Sequence, residues 1–449
     1  MKFFTGLFLT VLIIILPIFG AQAKSSEAGS GLSLTSNLFA PSIAYTNTNL
    51  GSSSSAAAQD DEDGFHIGGA LRYNIVSQHY ESDATATSTY ATFDTWRLNV
   101  SGQSGGISLN FEYRFYPTFN THFIKQGWLG YDFSDALNMQ IGVTQVPFGN
   151  LMYNSHSWWF NLPYYLGMED DFNMGIKFSY DVTDDFNIMA AYFRQQEPAG
   201  PAYGSASFGG PGAGTYSYNV IPDDSGVLSS TGATSSIQDW NQFNIRAAYT
   251  MAPGMELGVS GKLKGIYNSA LDDTEYGHAV AAHADLNAGL FNIKLQFINY
   301  DYSAKDDAGN DLERVQMGAY GDPYYGDGVA AGGNIVTAGI AYSHDVNIGP
   351  ITNIQPYINY SYMTKDGSLD VGGQSYDFED THMLVPGFLI SAGSVFTYVD
   401  LAMGKNQPWL TDSFGTGLGA GHLDANGVPI PVEDLDWNVR FNINIGYYF

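Results

Sequence analysis

The carboxy-terminal segment 437–449, with the sequence WNVRFNINIGYYF, constrains the fold of this chain more than any other stretch. Apolar or aromatic side chains occupy every second position, and asparagine and arginine alternate with them as far as Asn444. Period-two alternation is typical of a β-strand with one apolar face and one polar face. Because the alternation runs on to the aromatic Phe449, it favours a lipid-facing strand of a closed barrel over a strand of a soluble sandwich.

The amino terminus indicates export. Residues 1–23 contain Lys2, then an apolar run over 3–19, then Ala21-Gln22-Ala23, which is the layout of a cleaved signal peptide. A membrane anchor is the alternative, but the run is short and small residues follow it. No later segment approaches the ~18 consecutive apolar residues of a spanning helix, so a membrane location would require spanning by strands.

Composition agrees with a barrel. Charged residues make up only 14% of the chain, whereas about 25% is usual in soluble domains. The hydrophobic content is 44%, yet it is dispersed by alternation and forms no long block after the signal. The chain has no cysteine, which excludes a disulfide scaffold and a lipid-modified cysteine anchor.

The charge balance is strongly acidic. Removal of residues 1–23 takes away Lys2 alone and leaves 16 basic and 45 acidic residues. Such a surface is not expected to bind nucleic acid.

The chain divides into three expected parts: a signal peptide over 1–23, a flexible periplasmic segment over 24–64 and an outer-membrane β-barrel over 65–449. Within the third part, alternation and turn residues predict sixteen antiparallel strands. The predicted strands are 65–80, 90–103, 106–116, 122–133, 136–146, 172–181, 185–195, 239–251, 255–267, 276–288, 291–302, 334–344, 352–363, 377–390, 394–403 and 435–449.

Connections between these strands alternate between short and long. The long ones include 147–171, 196–238, 303–333 and 404–434, and the connections between them are tight turns. Bacterial barrels have short periplasmic turns and long outer loops, with both termini on the periplasmic side. An even number of strands satisfies that rule. The alternative is a soluble repeat protein, but such a protein has no reason to keep the connections on one side short.

Many basic residues occupy the strand positions that alternate with the apolar ones. If the apolar positions face lipid, the opposite parity lines a pore. The expected pore-lining residues are Arg72, Arg97, Arg114, Lys177, Arg246, Lys262, Lys264, Lys294 and Arg440. Such residues would bias the pore toward anions, and the alternative is that they pair with lumen carboxylates and hold the wall rigid.

The third outer loop is too aromatic to extend freely into water. It reads PFGNLMYNSHSWWFNLPYYLGMEDD over 147–171, and we expect it to fold inward and constrict the channel. The alternative is packing on an adjacent subunit or on lipid headgroups. The candidate constriction residues are Pro147, Phe148, Gly149, Asn154, Ser155, His156, Trp158, Trp159, Glu169, Asp170 and Asp171.

The stretch around 128–180 contains the motifs GWLGYDF, LNMQIGVTQVPFG and YYLGMEDDFNMGIKFSY. This stretch resembles the phosphate-selective porin O and P family. The resemblance implies a trimeric, sixteen-stranded outer-membrane channel, and some members carry anions past lumen arginines and lysines. It also implies that Pro147, Phe148 and Gly149 form the turn that precedes the inward-folded loop.

These features predict a porin in the outer membrane of a Gram-negative bacterium. Its expected partners are outer-membrane lipid, lipopolysaccharide, small hydrophilic solutes that include anions, and two further copies of the chain in a homotrimer. A channel specific for sugars or peptides and a non-conducting adhesin or structural barrel are the alternatives. No catalytic constellation stands out, so we expect neither an enzyme nor a cofactor or metal site.

Overall fold

The computed structural model describes residues 64–78, 88–157, 160–199, 214–320, 327–407 and 417–449. The expected signal peptide over 1–23 and the expected periplasmic segment, apart from Gly64, lie outside the described residues. Within those residues, no helix is both long enough and apolar enough to cross a membrane.

Sixteen antiparallel strands form one closed barrel, as the alternation predicts. The strands are β1 (Gly64–Gln78), β2 (Ser88–Ser104), β3 (Ile107–Tyr116), β4 (Thr121–Ser134), β5 (Leu137–Gln145), β6 (Phe172–Thr183), β7 (Phe186–Gln196), β8 (Ile237–Ala252), β9 (Met255–Asn268), β10 (Asp273–Ala288), β11 (Phe291–Asp301), β12 (Gly332–Tyr342), β13 (Ile351–Asp366), β14 (Thr381–Ala392), β15 (Val395–Lys405) and β16 (Asn438–Tyr448). The first strand pairs with β2 and also with β16, from Ala70 opposite Tyr448 to Gln78 opposite Arg440. The sheet therefore has no free edge.

Most predicted strand boundaries lie within three residues of the observed ones, and the largest differences concern the connections on either side of β13. After Ser343, β12 continues as His344–Ile348 and still pairs with β13, so the expected turn over 345–351 shortens to Gly349-Pro350. Residue 377, predicted to begin a strand, belongs to a small hairpin of Ser368–Val371 with Gln374–Asp377.

The last strand starts at Asn438 and not at residue 435. A 3-10 turn, Val432–Asp434, ends just before residue 435, and pairing with β15 begins only at Asn438.

The two ends of the barrel differ in the length of their connections. At one end all seven connections are two-residue turns, for example Gly105-Gly106 between β2 and β3. Both of these glycines have positive φ angles, 58° and 78°, as a type I′ hairpin turn requires. The segments 146–171, 197–236, 302–331 and 406–437 all lie at the opposite end.

Adjacent side chains along a strand have opposite environments, as the pleat demands. On β8 and β9, Ile245 and Val259 are 57% and 59% exposed, whereas their neighbours Arg246 and Ser260 are 2% and 7% exposed. The outer face is therefore apolar and the inner face carries the polar and charged side chains.

A β-bulge in β4 interrupts this alternation. The register with β3 shifts between Glu112 and Tyr113, which pair with Gln126 and Ile124. Lys125 and Gln126 are consequently both buried, although they are consecutive. The bulge adds a buried cation, Lys125, that strict alternation does not predict.

The long connections pack together and are not independent loops. Short strands join Asn219–Val220 to Met317–Gly318 and Arg314–Val315 to Val329–Ala330. The largest buried apolar cluster combines side chains of these segments with side chains of segment 146–171, including Tyr165. This cluster lies at the end of the barrel that carries the long connections.

The apolar outer face should not tolerate a charged side chain in a bilayer. We expect Val259→Arg to destabilise the protein folded in lipid vesicles by about 2 to 4 kcal/mol, because the arginine would face the hydrocarbon. The matched variant Asp184→Arg, in a two-residue turn, is expected to have little effect. Urea titrations in vesicles measure both, and equal stabilities would contradict a lipid-facing Val259.

Candidate functional site

All nine basic residues predicted to line a pore lie on the face opposite the exposed apolar side chains. Six of them are buried, namely Arg97, Arg114, Arg246, Lys262, Lys264 and Arg440. The side chains of Arg72 and Lys294 are 11% and 19% exposed, and Lys177 is half-buried.

Seven of these nine residues have a carboxylate within ion-pair distance. The pairs are Arg72 with Asp94 (2.6 Å), Arg97 and Arg114 with Glu112 (3.4 and 2.5 Å), Arg246 with Glu256, Lys262 with Asp171 (3.1 Å), Lys264 with Asp239 (2.8 Å) and Lys294 with Asp285 (3.9 Å). Lys177 donates to the Gln145 carbonyl at 3.1 Å, and Arg440 donates to Asn442 at 3.2 Å. Much of the positive charge is thus compensated, and removing one member of such a pair would leave a buried charge.

Lys125 is a tenth cation on this face, and its position follows from the bulge in β4. Its ammonium group lies 2.8 Å from Asp170 and over the rings of Phe172 and Tyr216, at 4.6 and 4.4 Å from their centroids. The sequence signal for it is weak, since a one-residue bulge has no distinct pattern.

Segment 146–171 is bonded to three strands of its own barrel. The backbone N–H groups of Gly149, Asn150 and His156 donate to side chains of β9, β11 and β13. Their acceptors are Ser260 Oγ (2.9 Å), Gln296 Oε1 (2.7 Å) and Asn359 Oδ1 (3.0 Å). All three acceptors are buried, on the same face as the basic residues.

The candidate constriction residues that the structure describes are all buried. They are Pro147, Phe148, Gly149, Asn154, Ser155, His156, Glu169, Asp170 and Asp171. Trp158 and Trp159 lie outside the described residues.

The three acids 169–171 have different environments. Asp170 accepts from Tyr216 at 2.5 Å and pairs with Lys125, and Asp171 pairs with Lys262. Glu169 instead accepts from the side-chain amides of Asn154 (2.9 Å) and Asn161 (2.5 Å). Burial raises the pKa of Glu169 to about 8, so its carboxyl group is mostly neutral at pH 7.

His156 is neutral for the same reason. Burial lowers its pKa to about 4. Its ring nitrogens lie 2.6 Å from Asn292 Oδ1 and 2.9 Å from Asn359 Oδ1. The imidazole therefore ties the segment to the wall without contributing charge at neutral pH.

A cavity of about 210 Å³, which we call the arginine–tyrosine cavity, remains between the wall and the long connections. Its charged lining consists of Arg72, Asp94, Arg114 and Arg440. Its aromatic lining from the connections consists of Phe119, Tyr153, Tyr164, Tyr216, Tyr218 and Tyr320. Three guanidinium groups thus meet one carboxylate here, because Glu112 is fully buried behind Arg97 and Arg114.

Solved structures share this fold at low sequence identity. The outer-membrane channel DcaP of Acinetobacter baumannii matches with a TM-score of 0.51 and 12% identity, over 87% of this chain and 99% of that chain. An anion-selective porin from Comamonas acidovorans matches with a TM-score of 0.48 and 13% identity, over 86% and 100% of the two chains. The trimer form of in-vitro folded OmpT from Vibrio cholerae matches with a TM-score of 0.49 and 11% identity, over 87% and 100%.

No protein-family model matches the chain, and no curated protein sequence matches it. The similarity to DcaP shows a shared barrel fold.

Replacing Gly149 by alanine should cause a steric clash in addition to backbone strain, and the two effects can be measured separately. Its φ is +61°, and an added Cβ would clash with Gln296 Oε1, whereas Gly289 has φ +63° and open space around it. We expect Gly289→Ala to cost about 1 kcal/mol of strain and Gly149→Ala to cost clearly more. Urea unfolding in vesicles compares the two, and equal losses would contradict the contact with Gln296.

Glu169 predicts a pH dependence of stability. Its pKa is about 4.5 when unfolded and about 8 when folded. The folded protein therefore becomes less stable as the pH rises between these two values. Glu169→Gln keeps an oxygen acceptor for both asparagines and cannot ionise. We expect this variant to match the parent protein at pH 4 and to exceed its stability at pH 8 by about 4 kcal/mol.

Melting temperatures in detergent at pH 4, 6 and 8 measure this difference. Asp184→Asn, at an exposed turn residue, serves as the matched control. If Glu169→Gln and Asp184→Asn respond alike to pH, the buried neutral state of Glu169 is wrong.

Proposed function

We propose that this chain is a porin of a Gram-negative outer membrane, forming a water-filled channel for the diffusion of small hydrophilic solutes. A closed barrel with an apolar outer face and a polar inner face supports this proposal, because it satisfies the backbone in lipid while keeping the bore hydrated. The layout of a signal peptide over 1–23 agrees with export. Lipid and lipopolysaccharide would surround the outer face.

Segment 146–171 is, in this proposal, the inward-folded loop that constricts the bore. Its hydrogen bonds to Ser260, Gln296 and Asn359 on β9, β11 and β13 support this role. Its acids also pair with Lys125 on β4 and Lys262 on β9. Segment 146–171 would thus be held at both sides of the barrel. Solutes would then pass through the remaining space, which lies along β1, β2, β3 and β16.

The channel would prefer anions, and the single observation that carries this bias is the lining of the arginine–tyrosine cavity. Among the described residues, three guanidinium groups and one carboxylate line that space, although Arg72 and Arg114 are themselves paired with Asp94 and Glu112. Fixed charges act most strongly where water is confined. Selectivity would therefore arise beside Arg72, Arg114 and Arg440.

The resemblance of the stretch around 128–180 to the phosphate-selective porin O and P family supports the same class of channel and a homotrimer. Segment 147–171 contains no lysine or arginine, so the proposal covers anions in general and not phosphate specifically. Mass measurement of the purified protein in detergent tests the trimer, and a monomeric mass would contradict it.

Conductance in planar bilayers tests the proposed function. We expect ohmic channels whose reversal potential in a KCl gradient indicates chloride preference. Arg440→Gln is expected to shift the reversal potential toward potassium by several millivolts or more, because one of three cavity guanidinium groups is lost.

Arg194→Gln is the control for that shift. It removes an exposed guanidinium that stacks on Trp240, outside the cavity lining, and should leave the reversal potential unchanged. Potassium preference in the parent protein would contradict the anion bias. Absence of conductance would contradict the channel and favour a non-conducting barrel.

A further inference from the structure

The arginine–tyrosine cavity has two chemically different sides. Strands β1, β3 and β16 supply Arg72, Arg114 and Arg440, and the long connections supply rings such as those of Tyr153 and Tyr320. A ligand that uses both sides must carry a negative charge at one end and an apolar body at the other.

The cavity volume limits the size of that ligand. Since a water molecule occupies about 30 Å³ of liquid, 210 Å³ corresponds to roughly seven waters. This space accommodates an organic acid with a single ring.

The tyrosines present ring surface more than free hydroxyl groups. The hydroxyls of Tyr153 and Tyr216 lie 3.2 Å apart, Tyr216 also donates to Asp170 at 2.5 Å, and those of Tyr164 and Tyr320 bond to each other. A sugar ring needs partners for several hydroxyls, whereas a flat apolar ring needs only aromatic surface. The lining therefore favours a flat ring over a sugar.

The guanidinium groups are held in place before any ligand arrives. Arg72 pairs with Asp94 at 2.6 Å, and Arg114 pairs with Glu112 at 2.5 Å and lies 4.6 Å from the ring centroid of Tyr216. Arg440 lies over the ring of Phe160 at 5.6 Å. A planar guanidinium fork that is already oriented matches a carboxylate well, since less side-chain entropy is lost on binding.

We propose that the arginine–tyrosine cavity is a binding subsite for small monocarboxylates that carry one flat ring, of which benzoate is the simplest probe. Their carboxylate contacts the arginines of the wall, and their ring stacks among the aromatic side chains of the connections. This inference rests on the proposed channel function and adds a solute class to it.

Current block in planar bilayers tests the subsite on the purified full-length protein. We expect benzoate to reduce the ionic current in a saturable manner at millimolar concentration. Acetate keeps the charge without the ring, and benzamide keeps the ring without the charge. Both should block at least about tenfold more weakly, because each loses one of the two contacts.

Paired variants separate the two contacts. Arg440→Gln and Tyr153→Leu should each weaken benzoate block by about tenfold, whereas Tyr153→Phe, which retains the ring, should leave the block within about twofold. Arg194→Gln removes a positive charge outside the cavity lining and should not change the block.

The possible results distinguish the subsite from the channel. Ohmic conductance without benzoate block, or equal block by acetate, would overturn the subsite and leave the porin intact. Unchanged block in both Arg440→Gln and Tyr153→Leu would also overturn it, provided that these variants conduct. No conductance from the parent protein would overturn the channel itself and the subsite with it.

Discussion

Pairing between the first and last strands is the interaction on which the rest of this structure depends. Nine residues of β1, from Ala70 to Gln78, pair in register with β16, and no sheet edge remains. In a bilayer, an open edge would expose a row of unsatisfied N–H and C=O groups, each costing several kcal/mol. Closure also separates the two faces, because it leaves one side of every strand outside and the other inside.

The polarity of the inner face follows from that separation. The net charge at each point of this face depends in addition on which basic residues are paired with carboxylates. Most basic residues there pair with carboxylates from other elements, as Lys262 does with Asp171 of segment 146–171. The pairs hold the segment to the wall while cancelling charge. Beside β1, β3 and β16, the described lining of the arginine–tyrosine cavity contains three guanidinium groups, of Arg72, Arg114 and Arg440, and one carboxylate, of Asp94.

The sequence alone predicted the sixteen strands, the alternation of short and long connections and the position of the nine basic residues on the face opposite the exposed apolar side chains. Period-two alternation carries this information directly, since each side chain on a regular strand is assigned to one face. Lys125 was missed because a bulge changes the parity locally. Which cations have acidic partners was also unpredictable, because the pairs join residues far apart in the chain, such as Lys125 and Asp170.

The neutral state of Glu169 is a further feature that the sequence does not reveal. In the run Glu169-Asp170-Asp171 all three residues are acidic, yet only the two aspartates pair with cations. Glu169 has two asparagine donors and a raised pKa of about 8, which is a consequence of burial by distant segments. The negative charge that segment 146–171 carries at neutral pH is therefore smaller than its composition indicates.

A disulfide cross-link tests the closure of the barrel most directly, because the chain has no cysteine of its own. Asn74 and Asn444 lie directly opposite each other across β1 and β16, and their side chains are hydrogen-bonded at 2.6 Å. Cysteines at both positions should form a disulfide in the membrane-inserted protein. The pair at Asn74 and Asn442, displaced by two residues, should form it far less readily. Efficient cross-linking of the displaced pair, or none at the opposed pair, would contradict a closed barrel in this register.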